Sequence, residues 1–190
     1  MIDKPVIIIT GTRQGIGKNL AEYYANKEFQ VVGCSRSDID FEIENYQHFY
    51  LDVSNESSMK KMFTEIRKKY GRLDVLINNA GRDSKNYVLL TSLEEVKDSI
   101  NTNFIGTFLF CRESIKLMKI NKFGRIINIS SIHIPLAFEG TSIYGASKAA
   151  IEQFTTVLAK EAFQYGINVN ILSLSIVKGT GMENALTDEI

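Results

Sequence analysis

The sequence predicts an α/β fold: a doubly wound, mostly parallel sheet with helices on both faces. Three observations predict it. Short runs rich in Val and Ile alternate along the chain with longer stretches whose apolar residues recur every three or four positions. The short runs are apolar throughout, as strands buried on both faces are, rather than alternating. A glycine-rich turn follows the first run and opens the first helical stretch.

Each element has its own signal. Residues 6–9 form a β-branched run, residues 18–27 a helix, residues 31–34 a second strand, and residues 49–53 a third that His48 opens. Ser54 or Asn55 is placed to cap a helix whose buried stripe is Met59, Met62, Phe63, Ile66 and Tyr70. Residues 75–77 read as strand four. A long helical region over 93–119 is interrupted near residues 101–106, and residues 125–130 read as strand five. Ile151, Phe154, Leu158, Ala162 and Tyr165 mark another amphipathic helix, which ends before Gly166. Residues 169–174 are strand six. With no repeat and no linker, residues 1–190 are expected to form a single domain.

Composition excludes several classes. The chain holds 22 basic and 22 acidic residues, so it lacks the basic excess of a nucleic-acid or anionic-membrane binder. The locally basic stretch from Lys60 to Arg72 reads as a solvated helix face. Cys34 and Cys111 form no metal or redox spacing and are too few for a disulfide scaffold, so a cytoplasmic location is expected. His48 and His133 lie too far apart to suggest a metal site. The amino terminus has neither a signal-peptide core nor an apolar run long enough to span a membrane.

The first strand runs into Thr10-Gly11-Thr12-Arg13-Gln14-Gly15-Ile16-Gly17. Glycines there let the backbone turn and approach a phosphate, and the following helix offers free N–H groups and a positive dipole end. A glycine triplet alone is a weak signal; its place between the first strand and the first helix strengthens it. Farther on, Tyr144 and Lys148 stand four apart at the start of a helix and so share one face. A nearby ammonium favours phenolate and is expected to lower the tyrosine pKa toward neutral.

The Gly-x-x-x-Gly-x-Gly spacing, Leu51-Asp52-Val53, Asn78-Asn79-Ala80-Gly81 and Tyr144-x-x-x-Lys148 together resemble the short-chain dehydrogenase/reductase family, of the 3-oxoacyl-ACP-reductase type. The resemblance covers nearly the whole chain. It implies a Rossmann-type dinucleotide-binding fold and an oxidoreductase that moves a hydride between a nicotinamide cofactor and a carbonyl or alcohol. It also implies cofactor contacts from Gly11, Arg13, Gln14, Gly15, Ile16, Gly17, Asp52 (to the adenine amino group), Val53, Asn79, Ala80, Gly81, Tyr144, Lys148 (to the nicotinamide ribose) and Val177. Its reacting set is Asn103, Ser131, Tyr144 and Lys148. Ser131, thirteen residues before the tyrosine, fits the family's serine interval better than Ser130. Asn103 resembles the helix-kink asparagine whose carbonyl orders a water in the proton relay.

Strand two ends in Cys34-Ser35-Arg36-Ser37, with no acid before Asp38. An acid there would hold ribose hydroxyls, whereas Arg36 can pair a 2′-phosphate, with Arg13 assisting, so NADP(H) is expected over NAD(H). His133 either faces the substrate pocket or is a plain loop residue; Phe138, Glu139 and the surroundings of Tyr87 are further candidates for its lining.

Two features depart from the family. Leu174-Ser175 stands where Pro-Gly is usual, and Ile176-Val177-Lys178-Gly179 carries an extra residue before Thr180, which leaves the nicotinamide-amide contacts open. The seventh strand and the helical lid are expected to be missing. The alternatives are a catalytically impaired nucleotide-binding or regulatory module, and an epimerase or dehydratase of the extended branch. By the same resemblance, the helices over 103–119 and 144–165 imply a homodimer or homotetramer.

Overall fold

The computed structural model describes residues 4–175 and 177. Its sheet has six parallel strands in the order β3-β2-β1-β4-β5-β6. These are β1 (Val6–Thr10), β2 (Gln30–Ser35), β3 (Tyr46–Tyr50), β4 (Val75–Asn78), β5 (Gly124–Ser131) and β6 (Ile167–Leu174). Strand order reverses between β1 and β4, and a crevice at the carboxyl ends of those strands is where an open α/β sheet takes its ligand.

All five β1 residues are buried because the strand is central and covered on both faces. On one face α2 (Glu56–Tyr70), α4 (Gly106–Met118) and α6 (Ser142–Phe163) join Ile8, Val32, Leu76 and Ile126 in the larger core. On the other, α1 (Gly15–Ala25) covers Ile7, Ile9, Val31 and Ile77 through Ala21 and Ala25. The remaining helices are α3 (Leu93–Ile100) and the single turn α5 (His133–Leu136).

Several boundaries move. Helix α1 starts at Gly15 rather than Lys18, because the glycines themselves form its first turn. Strand β3 spans Tyr46–Tyr50, not 49–53, and His48 lies inside it. As an edge strand it is only half buried and carries polar residues, so it lacks the apolar run that reads as a strand. Leu51 and Val53 are buried instead against the helical core. Asn55, not Ser54, caps α2 by accepting from Ser58 N at 2.9 Å. The interruption near residue 101 is a π-helical segment, Asn101–Ile105, whose extra residue turns Asn103 into the interior. Strand β6 starts two residues earlier than the apolar run suggests, at Ile167.

Candidate active site

At the crevice, Gly11 and Gly15 take left-handed backbone angles of 73° and 59°, which favour glycine. A Cβ on Gly17 would strike the Gly11 carbonyl oxygen, so only glycine lets α1 approach the loop this closely. The Gln14 side chain does not cap α1; it accepts from Arg13 at 3.0 Å, and the first intrahelical donor after it is Lys18 N. The N–H groups of Gly15, Ile16 and Gly17 therefore open the helix without a side-chain acceptor, which suits a phosphate. Asn79 locks the loop by donating to Thr10 O at 2.9 Å and Gly11 O at 3.2 Å. The Thr10 hydroxyl receives the N–H groups of Asn79 and Ala80.

A polar chain runs beneath this loop. Thr12 Oγ1 meets the Tyr46 hydroxyl at 2.7 Å, which meets His48 Nδ1 at 2.7 Å, and His48 Nε2 meets Ser35 Oγ at 3.0 Å. Burial, the largest influence, lowers the His48 pKa. The chain joins the glycine loop to the end of β2, where Arg36 stands exposed. Asp52 lies at the neighbouring strand end, with Oδ1 accepting from Ser54 N at 2.8 Å and Ser54 Oγ at 2.6 Å. The side chain of Val53 is committed to packing against Gly106, where a Cβ would come within 2.7 Å of it.

The four residues of the expected reacting set meet across the mouth of β4 and β5. Tyr144 enters from the first turn of α6, is 7% exposed, and takes a hydrogen bond from Ser131 at the end of β5. Lys148, one turn on, sits 5.7 Å from the Tyr144 ring centre and donates to Ile129 O at 2.8 Å. A Cβ on Gly81 would lie 3.6 Å from Lys148 Nζ and 3.5 Å from Asn103 Oδ1, so the loop after β4 passes directly over both. Asn103 accepts from Arg82 N at 2.7 Å and donates to Arg82 O at 3.0 Å and Ser147 Oγ at 2.8 Å. Its own carbonyl accepts from Thr107 Oγ1 at 2.7 Å. Ser130 turns away and donates to Glu152 at 2.7 Å, which selects Ser131 as the serine facing Tyr144.

The resemblance implies that Lys148 together with a positive nicotinamide ring lowers the tyrosine pKa; the protein groups by themselves act in the other direction. Burial raises the Tyr144 pKa above 10.0; the Ser131 hydrogen bond opposes that and the Asp83 charge adds to it. Burial lowers the Lys148 pKa to about 8, against the pull of Asp83. Desolvation is the largest influence on both groups, and Tyr144 is held as the phenol, the form that donates a proton.

A family model described as short chain dehydrogenase matches residues 5–190. The chain belongs to the short-chain dehydrogenase family. It is 30% identical to 3-oxoacyl-acyl-carrier-protein reductase FabG of Vibrio cholerae, over 99% of this chain and 79% of that protein. It is 35% identical to 3-ketodihydrosphingosine reductase of Bacteroides thetaiotaomicron, over 86% of this chain and 61% of that one. Among solved structures it resembles ElxO with NADP bound, with a TM-score of 0.89 at 31% identity, covering 97% of this chain and 79% of that one. It also resembles 4-hydroxyisoleucine dehydrogenase complexed with NADH, with a TM-score of 0.87 at 27% identity and coverage of 97% and 81%.

This short-chain dehydrogenase is thus a nicotinamide-dependent oxidoreductase, and its crevice fits a dinucleotide through the glycine cradle and the uncapped α1. Sequence reasoning passed over three participants. Asp83 acts on both Tyr144 and Lys148 through space, and Ser147 and Arg82 fix Asn103. Only the proximity of residues 82 and 83 to Gly81 hints at such roles. His133 faces the pocket, a cavity of about 440 Å³ that Val88, Ile134, Phe138, Ala146 and Ala149 also line. Tyr87 and Glu139 join at its rim, 3.1 Å apart. Val177 is partly exposed beyond β6; Ile176, Lys178, Gly179 and Thr180 lie outside the described residues.

Proposed function

We propose that this chain reduces a carbonyl compound with NADP(H), Tyr144 serving as the general acid. The observation that carries this reading is the buried Tyr144 phenol, bonded to Ser131 and flanked by Lys148, whose Nζ lies beneath the loop at Gly81. Bound nicotinamide supplies or removes the hydride. The chain's own residues do the rest. The glycine loop with Arg13, Gln14 and Ile16 holds the phosphates, Asp52 and Val53 border the adenine, and Asn79, Ala80, Gly81 and Val177 line the cleft. Ser131 donates to the substrate oxygen as charge develops there, and Tyr144 passes its proton to that oxygen. Lys148 binds ribose and replaces the proton, and Asn103 orders the relay behind it. The apolar pocket supports a small-molecule carbonyl substrate with a hydrocarbon body.

Tyr144→Phe is expected to cut NADPH oxidation, measured across a carbonyl panel, at least ~100-fold while leaving cofactor affinity unchanged. Turnover near the wild-type rate would end the proposal. The preference for NADP(H) over NAD(H) rests on Arg36, exposed at the end of β2 and able to grip a 2′-phosphate. Arg36→Ala should raise KM for NADPH ~10-fold or more with little change for NADH. Equal change for both cofactors would remove that assignment. The same reading places the protein in the cytoplasm as a homo-oligomer; no helix among the described residues is long and apolar enough to cross a membrane.

A further inference from the structure

Ser131 must spend its one hydroxyl proton on the substrate oxygen if it is to act as the reading above requires. Its surroundings decide whether it can. Ser131 Oγ lies 2.8 Å from His133 Nδ1 and receives the His133 backbone N–H at 3.3 Å. The His133 ring stands edge-on to Tyr144, with centroids 5.3 Å apart and an interplanar angle of 90°, and also edge-on to Phe138 at 5.3 Å. It is held between the acid and the pocket wall, with no other hydrogen bond to its side chain among the described residues.

A neutral imidazole carries its proton on one nitrogen, and the two choices have opposite consequences. With the proton on Nε2, Nδ1 is an acceptor and takes the serine proton, leaving Ser131 nothing to give. With the proton on Nδ1, the ring N–H and the backbone N–H fill both serine lone pairs, and the hydroxyl proton must point elsewhere. The remaining direction is toward Tyr144 and the substrate oxygen beside it. We infer that His133 is a positioning residue, whose Nδ1–H donates to Ser131 and so turns the serine into an obligate donor to the substrate. This rests on the proposed role of Ser131, and it makes the dipeptide step from Ser131 to His133 a unit of the reaction.

The test begins with the ring itself. The chain has two histidines, so nitrogen-15 histidine labelling gives two rings, and His133→Asn assigns them by loss of one. Spectra of the NADP⁺-bound protein at pH ~8.5, above the ordinary histidine range, should show His133 protonated on Nδ1. An Nε2-protonated ring overturns the inference, whether or not any probe ketone is reduced.

Kinetics with NADPH and ethyl 3-oxobutanoate add the functional arm. His133→Leu should lower kcat ~30-fold, less than loss of a direct oxyanion donor, with the NADPH dissociation constant unchanged. His133→Asn, which keeps a donor one bond from Cγ, should stay within about threefold of wild type, the scale of one ordinary hydrogen bond. Adding His133→Leu to Ser131→Ala should cost nothing more, because the histidine acts through the serine. A further loss in that background, or wild-type kcat in His133→Leu, defeats the inference. If Ser131→Ala and Tyr144→Phe themselves keep full activity, it is the proposed function that fails, and the nitrogen spectrum still judges the histidine.

Discussion

Lys148 is 4% exposed, and its ammonium donates to Ile129 O at 2.8 Å. Its pKa, brought by burial from 10.5 to about 8, measures what the fold gives up to keep a charge there. That shift corresponds to about 3 kcal/mol against the folded state at neutral pH. Lys148→Met forfeits ~1 kcal/mol with the lost hydrogen bond. The variant should therefore be inactive yet about 2 kcal/mol more stable in urea unfolding of the cofactor-free protein at pH 7. The sign with pH follows from proton counts. Between about 8 and 10.5 the unfolded chain binds the lysine proton more tightly than the folded one, so wild-type stability gains on the variant as pH rises through that window. A gap that stays constant from pH 7 to 9.5 contradicts the burial argument. Ser131 and Tyr144 were singled out through the family resemblance, whose motif interval they match. The burial that sets their acidity depends on contacts from α6, β5 and the loop after β4, which no spacing encodes.

At the scale of elements, apolar periodicity identified strands and helices wherever burial was one-sided or complete. The stripe of α2 is buried as read, and Asn55 closes its start while Gly71, at φ 70°, closes its end. Asn55→Ala should lower stability by about 1 kcal/mol, because it removes the acceptor for Ser58 N at the start of α2. Circular dichroism melts check that statement. Periodicity failed where burial was partial. Edge strand β3 hides its pairing behind Tyr46, Gln47 and His48, and its register follows from hydrogen bonds to β2. The turns at Val88–Leu90 and His133–Leu136 are too short to carry a period, and both border the pocket. The π-helical segment was visible only as a break. Its extra residue is what carries Asn103 inward to meet Arg82 and Ser147.

For the molecule as a whole, the two sheet faces are covered unequally. Three helices close one, while α1 alone among the described residues closes the other, and Asn168, Asn170 and Leu172 of β6 face outward there. That parallel strands alternate with helices was readable from the sequence, whereas the order of the strands comes from their pairing in the structure. How copies associate is a property of surfaces. Helices α4 and α6 expose Phe108, Val157 and Phe163, and Phe104 and Phe108 stack edgewise on Phe154 between them. An apolar helical face of this kind supports self-association. Light scattering should return a mass near two or four times 21.4 kDa, and a monomer at all concentrations would refute the homo-oligomer.

The run of hydroxyls and imidazole from Thr12 through Tyr46 and His48 to Ser35 has a consequence for engineering coenzyme choice. Gly33 has no side chain because the Tyr46 hydroxyl and Thr12 occupy that space, so strand, turn and loop are keyed together at this spot. Exchanging Arg36 alone swaps a charge on a platform whose height and tilt are set elsewhere. On the proposed NADP(H) reading, a redesign for the unphosphorylated dinucleotide is a problem of at least four side chains on three separate segments, and its hardest constraint is buried one layer below the surface being redesigned.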